Sequence, residues 1–451
     1  MLSNSGCSGG GSAGNSSAPP GVAGGTCDTS ARPQLAPASA GRDDVNACIM
    51  AATTGDTILI PSGTPTWSSG VIISEAITLK GTGSSSTVIA STVSVAITLA
   101  PKLDIPIRVT DIGFNLGEMN TARTAILVEG DGSNIFGLTQ IRLDHLAITG
   151  GSKTIALSGW VHSLIDHVTF TNTMEGVFCA GDDDYSWIRS FATGEVKAGT
   201  ANAMFVEDST FILNGIFALP IDAEVYVQEG CNMVTRHNTF DSTALANQGF
   251  LNLVLNDHGN ADYIPLDPPP NFRGQPVHEF YKNAIKVASA DVLLGLRGNS
   301  YLIYDNTITC SVTCNNVIQL TEEEGWASGG PFTTQRTQWP AQDQVINTFI
   351  WNNTIQGNLL TSSDVVLGQP ASDTIFIQEN REFFMHEPQA TGGKSVYEGR
   401  PGGSTTVPTT TDTGMLHAPN TGFINAFGVS TDGNNAYYPY TPYTYPHPNN
   451  K

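Results

Sequence analysis

A short phrase recurs along the chain and limits the folds that the chain can adopt. Residues 164–170 read LIDHVTF, and altered copies follow as FVEDSTF at 205–211, VTRHNTF at 234–240 and LIYDNTI at 302–308. The aligned copies end at Ile148, Phe170, Phe191, Phe211, Phe240, Ile285, Ile308, Ile355 and Phe383. These positions fit a unit of about 20 to 24 residues with loop insertions and double steps, and such a period is typical of a solenoid.

Apolar and polar letters alternate inside each copy with period two, which indicates strands. Only 14% of residues are charged and 47 are Gly, a composition that favours short strands and turns over helices. Leucines at the fixed spacing of a leucine-rich repeat do not occur. We therefore predict an all-β fold, a right-handed parallel β-helix whose coils stack about 4.8 Å apart. Residues 42–53 predict a short capping helix at its N-terminal end, before a first strand TILIP.

Composition divides the chain into three predicted segments. Residues 1–40 form a flexible Gly/Ser/Pro-rich tether, residues 41–395 the β-helix, and residues 396–451 a Pro/Tyr-rich tail packed along the solenoid. No apolar run reaches the roughly 18 residues that cross a bilayer, so we expect no transmembrane segment. The formal net charge of −21 argues against nucleic acid as a partner. An anionic substrate would therefore need a local basic patch or a bridging cation.

Seven cysteines fit one tethering residue and three disulfides formed in an oxidising compartment. The predicted pairs are Cys27 with Cys48, Cys179 with Cys231, and Cys310 with Cys314. The remaining Cys7 precedes the Gly/Ser/Pro tract, and this arrangement resembles a bacterial lipoprotein after removal of its export signal. The resemblance implies a lipid anchor at Cys7, and an ordinary disordered start is the alternative.

Two residues before the end of each copy, the later repeats carry asparagine. Stacked Asn side chains can hydrogen-bond along the coil axis and satisfy buried backbone, so we interpret Asn238, Asn283, Asn306 and Asn353 as structural. The two positions ahead of them vary, and stacking would place these side chains about 5 Å from their neighbours in the next coil. They are Asp144 and His145, Asp166 and His167, Glu207 and Asp208, Arg236 and His237, Tyr281 and Lys282, and Tyr304 and Asp305. We expect Asp166 and His167 to pair with turn backbone.

Several stretches together resemble secreted bacterial right-handed parallel β-helix proteins of the pectate-lyase-like superfamily. They are DDVNACIMAATTGDTILIPSGTPTW, ITLKGTG, the repeated phrases, DHGN, RGNSYLIYDNTI and the terminal PYTYPHP, which together span about residues 42–450. The resemblance implies the β-helix fold and an exported protein that acts on a polysaccharide as a lyase, hydrolase or epimerase.

Four departures separate this chain from members of that superfamily with known activity. The segment LIDH at 164–167 is similar to the WIDH of pectate lyases, with Leu164 in place of Trp. The Arg-x-Pro-x-x-Arg segment of those enzymes and the aspartate set of polygalacturonases have no match. The segment around Arg297 is similar to the LRHGN of alginate lyases but lacks its His. The substrate therefore does not follow from the resemblance.

Elimination on an acidic polysaccharide needs a group that neutralises the uronate carboxylate, a base, and an acid for the leaving oxygen. The stretch 236–297 gathers much of the scarce basic charge, and we predict the catalytic residues there: Arg236, His237, Asp257, His258, Arg273, Glu279, Tyr281, Lys282 and Arg297. We predict substrate contacts at Glu207, Trp187 and Trp326, with the two indoles stacking on sugar rings. The acidic run Asp182, Asp183 and Asp184 is a candidate Ca²⁺ site, and a solvated acidic loop is the alternative.

We therefore predict a polysaccharide-active protein, secreted or held on the outer surface of a bacterium, with a lyase acting on a uronate polymer as the favoured activity. Two alternatives stay open. A glycoside hydrolase of the same fold would use paired carboxylates such as Glu207, Asp257 and Glu279. A non-catalytic carbohydrate-binding, adhesion or structural protein would use the solenoid as a spacer. In such a protein an arginine of the corner columns would point into the turn and hydrogen-bond to backbone. Beyond Ca²⁺, we expect no cofactor.

Overall fold

The fold is a right-handed parallel β-helix, as the repeat predicts. The computed structural model describes residues 24–119, 121–130, 137–180, 198–215, 225–228, 231–245, 254–257, 277–297, 300–321, 345, 347–368, 377–390 and 439–450. Each coil from Thr57–Leu59 to Val365–Leu367 contributes one strand to each of three parallel ladders, and the second and third ladders join through the long strands Ala284–Arg297 and Thr307–Thr321. Side chains far apart in sequence thereby become vertical neighbours.

The first ladder runs through twelve strands in chain order. They are Gln34–Pro37, Thr57–Leu59, Thr78–Lys80, Ile107–Thr110, Ile141–Asp144, Leu164–Asp166, Met204–Glu207, Met233–Arg236, His278–Tyr281, Tyr301–Tyr304, Thr348–Trp351 and Phe383–Phe384. Successive strands pair in register, so that Asp144 lies beside Asp166, and Arg236 beside Tyr281. A short strand Cys27–Asp28 extends this sheet by antiparallel pairing with Gln34–Pro37.

The other two ladders follow the same order. The second contains Thr66–Trp67, Val88–Ser91, Gly113–Asn115, Ala147–Thr149, Thr169–Thr171, Thr210–Ile212, Thr239–Ser242, the first parts of the two long strands, and Thr354–Ile355. The third contains Val71–Ile73, Val95–Leu99, Thr124–Glu129, Lys153–Ser158, Glu175–Ala180, Val225–Gln228, Leu255–Asp257, the second parts of the long strands, and Val365–Leu367. The strand Asn358–Leu359 pairs antiparallel with Thr354–Ile355, and 3₁₀ turns occupy Thr243–Leu245 and Ser362–Asp364.

Inward side chains form one continuous core from Leu35 to Phe383. Phe170, Phe211 and Phe240 occupy the same position in consecutive coils, and their rings stack with centroids 4.5 and 4.6 Å apart. These stacks form a column of inward apolar residues along the solenoid axis. Offset aromatic pairs at such distances add to the stabilisation that burial alone provides.

The predicted capping helix is present at Arg42–Ala51. Its buried residues Val45, Cys48 and Ile49 pack onto the open end of the core, and Cys48 forms a disulfide with Cys27. The helix starts at Gly41, where no side chain caps it, and Asp44 instead accepts hydrogen bonds from Thr26 N and Ser39 Oγ. A helix tethered by a disulfide therefore covers the N-terminal end of the solenoid core.

All three predicted disulfides are confirmed, because Cys179 is bonded to Cys231 and Cys310 to Cys314 as well. Such bonds persist in oxidising compartments. Cys7 lies outside the described residues, as does the boundary at residue 395, so the lipid anchor and the three-segment division stay predictions. Within the described parts of the chain, no helix has the length and apolar character to cross a membrane.

The Asn column is built as predicted. Asn283 Oδ1 accepts from the backbone N–H of Asn238, and Asn306 Oδ1 does the same for Asn283, at 3.0 and 2.9 Å. Asn306 N donates to Asn353 Oδ1 at 3.1 Å, which continues the column. Each Asn Nδ2 also donates to a backbone carbonyl of a neighbouring coil. The column therefore satisfies buried backbone along the solenoid axis.

Candidate functional site

In the coils from Ile141–Asp144 to Thr348–Trp351, the chain turns from the first to the second ladder through one residue in the left-handed backbone conformation. These residues are His145, His167, Asp208, His237, Lys282, Asp305 and Asn352, with φ between 52° and 58°. The residue before each of them is the last residue of its first-ladder strand. These last residues, from Asp144 to Trp351, pair in register with their counterparts in the neighbouring coils. The turn thus presents the two side-chain columns that the sequence predicts. We call the outward face of the first ladder, with these columns at its edge, the corner groove.

Residues 439–450, the C-terminal segment, lie along one half of the corner groove. Tyr440 Oη donates to Glu279 Oε2 at 2.5 Å, and Tyr445 Oη donates to Asp208 Oδ1 at 2.7 Å. His447 N donates to Glu207 Oε1 at 2.8 Å. The segment therefore crosses the strands from later coils to earlier ones. We call the coils from Glu207 to Trp351 the covered half, and the coils from Arg108 to His167 the open half.

Arg236 is the centre of the covered half, and its side chain is fully buried. Its Nε donates to Glu207 Oε2 at 2.7 Å, and its Nη1 donates to Tyr281 Oη at 2.8 Å. Nη1 and Nη2 also donate to the carbonyl oxygens of Tyr443 and Thr444, at 2.7 and 2.8 Å. A buried guanidinium needs this number of acceptors to offset its desolvation. The arginine predicted as catalytic is thus engaged by the segment itself.

Burial raises the pKa of the two acids and the phenol around Arg236 above their ordinary values. Burial raises the pKa of Glu207 although Arg236 opposes the shift, and it raises the pKa of Glu279 although Tyr440 and Gly199 N donate to its carboxylate. Burial also raises the pKa of Tyr281 to about 12. A phenol with that pKa is a hydrogen-bond donor and not a base at neutral pH. The phenol of Tyr281 is therefore not a candidate base in the covered half.

Aromatic rings extend the covered half toward the C-terminal coils. Tyr304 stacks between Tyr281 and Trp351 with centroids 4.5 and 4.2 Å apart, and its hydroxyl lies 2.8 Å from that of Tyr440. On the other column, His237 stacks on Tyr445 at 3.6 Å, and burial lowers the pKa of this histidine. The segment is therefore held largely by its tyrosines.

The open half carries two histidines on buried carboxylates. His145 Nδ1 lies 2.7 Å from Asp144 Oδ2, and His167 Nδ1 lies 2.8 Å from Asp166 Oδ2. The two imidazoles are parallel with centroids 5.0 Å apart, and their side chains are 50% and 43% exposed. A carboxylate on Nδ1 fixes the ring orientation and the tautomer, which leaves Nε2 as the basic nitrogen.

An arginine binds each of these carboxylates through two parallel hydrogen bonds. Arg108 donates to Asp144 at 2.7 and 2.6 Å, and Arg142 donates to Asp166 at 3.0 and 2.9 Å. Burial disfavours a charged Asp144, but hydrogen bonds from Arg108 and His145 outweigh it and lower the pKa of the carboxyl. Asp166 binds Arg142 and His167, so the expectation that it pairs with turn backbone is wrong.

A surface pocket of about 380 Å³ lies at the open half. Its lining includes Arg108, Arg142 and Gln140 from the first ladder, together with Pro448 and Asn449 of the C-terminal segment. The side chain of Arg108 is 38% exposed, whereas Arg142 is nearly buried and also donates to Asn450 Oδ1 at 2.8 Å. Arg108 thus links this pocket to Asp144, and Asp144 in turn lies 2.7 Å from His145 Nδ1.

Asp257 lies inside the solenoid and not in the groove. Its Oδ2 is 2.8 Å from His278 Nδ1, and His278 Nε2 is 2.9 Å from Thr235 Oγ1. All three side chains are fully buried at the turn from the third ladder to the first. Asp257 fills an inward position in its strand, so this carboxylate cannot meet a substrate beside Arg236.

Arg297 ends the long strand in the third ladder, whereas Arg236 ends its strand in the first. The expectation that these two arginines share a pocket is therefore wrong, because the coil separates the two ladders. Lys282 occupies an exposed corner position next to Tyr281. Glu207, Arg236, His237, Glu279, Tyr281 and Lys282 are brought together, while Asp257 and Arg297 lie apart from them.

Several predicted residues lie outside the described residues: His258, Arg273, Trp187, Trp326, Asp182, Asp183 and Asp184. In the described ranges, no cluster of three or more His, Cys, Asp or Glu side chains could hold a metal ion. The Ca²⁺ site at the acidic run stays a prediction.

Sequence reasoning missed Arg108 and Arg142 and gave His145 no chemical role. A signal was present, since IRVTD at 107–111 and IRLDH at 141–145 place an arginine two residues before the corner column in adjacent coils. The interior His278 carried no such signal, because its partners Asp257 and Thr235 come from two other coils.

No protein-family model and no curated protein sequence matches the chain. Among solved structures, an alginate lyase from Paenibacillus sp. str. FPU-7 is 14% identical with a TM-score of 0.38, covering 64% of this chain and 98% of that one. Geobacillus virus E2 ORF18 is 14% identical with a TM-score of 0.31, covering 73% and 56%. The PL6 family alginate lyase AlyGC is 12% identical with a TM-score of 0.30, covering 81% and 54%. The chain thus spans about half the length of the last two, and its fold is established by its own strand register.

Proposed function

We propose that the protein binds a uronate-containing polysaccharide in the open half of the corner groove and cleaves it by β-elimination. The observation that supports this most directly is the pair of half-exposed, stacked imidazoles, His145 and His167, each oriented by a buried carboxylate. The site residues therefore differ from those expected from sequence, because the C-terminal segment covers Arg236 and Tyr281.

Elimination would use the two histidines in complementary roles. One neutral imidazole takes the proton on the carbon next to the uronate carboxylate, and the electron pair forms the double bond as the glycosidic oxygen leaves. The neighbouring imidazole, protonated, gives its proton to that oxygen. Arg108 lies beside the first histidine and offers an exposed guanidinium to the carboxylate of the sugar.

A hydrolase would need two carboxyl groups open to the glycosidic bond. Asp144 and Asp166 have no exposed side-chain area, and each is bound to an arginine and a histidine. Glu207 and Glu279 are buried under the C-terminal segment. The open half thus supports a lyase better than a glycoside hydrolase.

One observation favours a second function, carbohydrate binding without cleavage. Arg236 is satisfied by Glu207 and by two main-chain carbonyls, which is the arrangement expected of a rigid spacer. In that function the exported solenoid would hold its open half out to a polysaccharide, secreted or on an outer cell surface.

The test is incubation with pectate, alginate and glycosaminoglycans, with and without calcium, while the ultraviolet absorbance of unsaturated uronate is followed. We expect product from one acidic polymer, and a loss of about 100-fold in kcat for His145→Asn or His167→Asn. Asn tolerates the left-handed backbone there, and Asp305→Asn, exposed in the same column, is the matched control. Polymer binding without product in all panels would reject the lyase and leave the binding function.

A further inference from the structure

We propose that the C-terminal segment, residues 439–450, occupies a second acidic-sugar site, and that its withdrawal opens Arg236 and the covered half to a uronate polymer. The inference rests on the proposed function only for the chemical class of the ligand. It assigns the segment the role of an intramolecular competitor.

The guanidinium of Arg236 binds the main chain of the segment. Its Nη1 and Nη2 point to two successive carbonyl oxygens, those of Tyr443 and Thr444, at 2.7 and 2.8 Å. This edge of a guanidinium can take a carboxylate through two parallel hydrogen bonds. The two carbonyls therefore stand where the carboxylate of a uronate could bind. Glu207 holds Nε from the other side and keeps the guanidinium in place.

The surface beneath the segment is apolar and aromatic. The outward positions of the first ladder are apolar there and include Leu164, Phe205 and Val234, all buried. Tyr443 and His447 pack on Phe205 with centroids 5.2 and 4.6 Å apart, and Tyr445 lies over Arg236. An apolar and aromatic floor with a few fixed polar groups is the usual lining of a ligand site. The rings of the segment thus lie where sugar rings could lie.

The contacts that attach the segment to the solenoid are compatible with its release. Eight of its twelve residues are exposed, and residues 439–450 contain no strand or helix, so the segment adds nothing to the sheet ladders. It is attached by side-chain contacts of Tyr440, Tyr443, Tyr445 and His447 and by main-chain hydrogen bonds of Tyr443, Thr444 and His447. Segments outside the sheet ladders open locally at a lower free-energy cost than the core strands.

The covered and open halves are continuous along the solenoid axis. Pro448 and Asn449 line the pocket at the open half, and Asn449 Nδ2 donates to Thr139 O at 3.3 Å. A polymer that enters at Arg108 and extends toward later coils meets the end of the segment. Competition between the two follows from this geometry.

The experiment compares the full-length chain with the full-length variant Tyr440→Ala/Tyr445→Ala, which loses the hydrogen bonds to Glu279 and Asp208. Thr441→Ala, an exposed residue of the same segment, is the matched control. Oligosaccharides prepared from pectate and alginate are titrated by calorimetry, with malto-oligosaccharide as the neutral probe. We expect about tenfold tighter binding of one acidic probe to the double variant, because more molecules have the covered half free.

A synthetic peptide of residues 439–450, added in trans, should reverse this gain, and a scrambled peptide should not. Tyr445→Ala alone, whose ring is 43% exposed, replaces the double variant should that variant fail to fold. Equal affinity in variant and parent overturns the inference while the proposed function stands. Binding only by the variant, competed by the peptide, supports the inference and overturns the proposal for the open half. No binding by either overturns both.

Discussion

At the scale of single residues, the asparagine at the corner of each later coil solves a problem that the parallel β-helix creates. The backbone turns sharply there while remaining buried, so its N–H and C=O groups cannot reach water. Asn306 accepts from Asn283 N at 2.9 Å and donates to Phe280 O at 2.9 Å. One side chain thereby serves two backbone groups of the preceding coil, one in its strand and one in its turn. An apolar side chain could fill the space but would leave both groups unsatisfied.

We predict that Asn306→Ala lowers the free energy of unfolding by about 3 kcal/mol, because two buried backbone groups lose their partners. The midpoint of denaturation by guanidinium, followed by circular dichroism, measures the change. Asp305→Asn is the control, since Asp305 is exposed and asparagine accepts its φ of 54°. This control should shift stability by less than about 0.5 kcal/mol. Equal midpoints for the two variants would show that the column is dispensable.

At the scale of elements, the C-terminal segment makes the corner groove sensitive to pH. Burial, with Arg236 and Arg142 nearby, lowers the pKa of His447 to about 4 from its ordinary 6.5. A histidine with a lowered pKa contributes fully to docking above its unfolded pKa and loses that contribution as the pH falls toward 4. Glu207 and Glu279 have raised pKa values, so their contributions change in the opposite direction.

We predict that His447→Gln removes the part of the pH response that is due to the histidine. Between pH 6.5 and pH 4, docking of the segment should weaken more in the parent than in the variant, because only the parent must protonate a buried ring. Hydrogen exchange of residues 440–450, corrected for the intrinsic rate at each pH, gives the docking free energy. Parallel pH curves for the two proteins are the contrary result.

At the scale of the whole molecule, stability is a sum of contacts between neighbouring coils. Each coil touches the coil above and the coil below, so damage in one region has little route to another. The helix Arg42–Ala51 lies at one end of this series, and its residue Val45 is fully buried. The helix therefore protects the first coils and not the corner groove.

We predict that Val45→Ala costs about 1 to 3 kcal/mol and that the loss is local. Peptides from residues 24–80 should exchange hydrogen faster, while peptides from residues 278–308 should keep the exchange rate of the parent. Met50→Ala, on the exposed side of the same helix at 79% exposure, is the control. A uniform rise in exchange across all coils would instead mean that the solenoid unfolds as one unit.

The same scale explains what sequence alone could predict. The period of the repeat determines the length of each coil, and that length determines which residues are vertical neighbours. The Asn column and the corner columns could therefore be predicted from the sequence. Arg236 was placed correctly in its column, but its burial depends on a segment more than 200 residues later, for which the repeat has no signal. Asp257 and Arg297 were misplaced because loop insertions hide which of the three ladders a strand joins. The stacked His145 and His167 were visible in register, yet their chemical state depends on Arg108 and Arg142.

The left-handed turn residue has a consequence for how such a protein can change. A β-branched or bulky residue is strained at this φ, whereas Asn, Asp and His are enriched there. Six of the seven corner residues from His145 to Asn352 are of these three types, and Lys282 is the exception. Natural variation at this edge is thus confined to a small alphabet that happens to contain an acid, a base and a neutral amide. Single substitutions among these residue types can therefore change the surface chemistry of this edge without changing the backbone conformation.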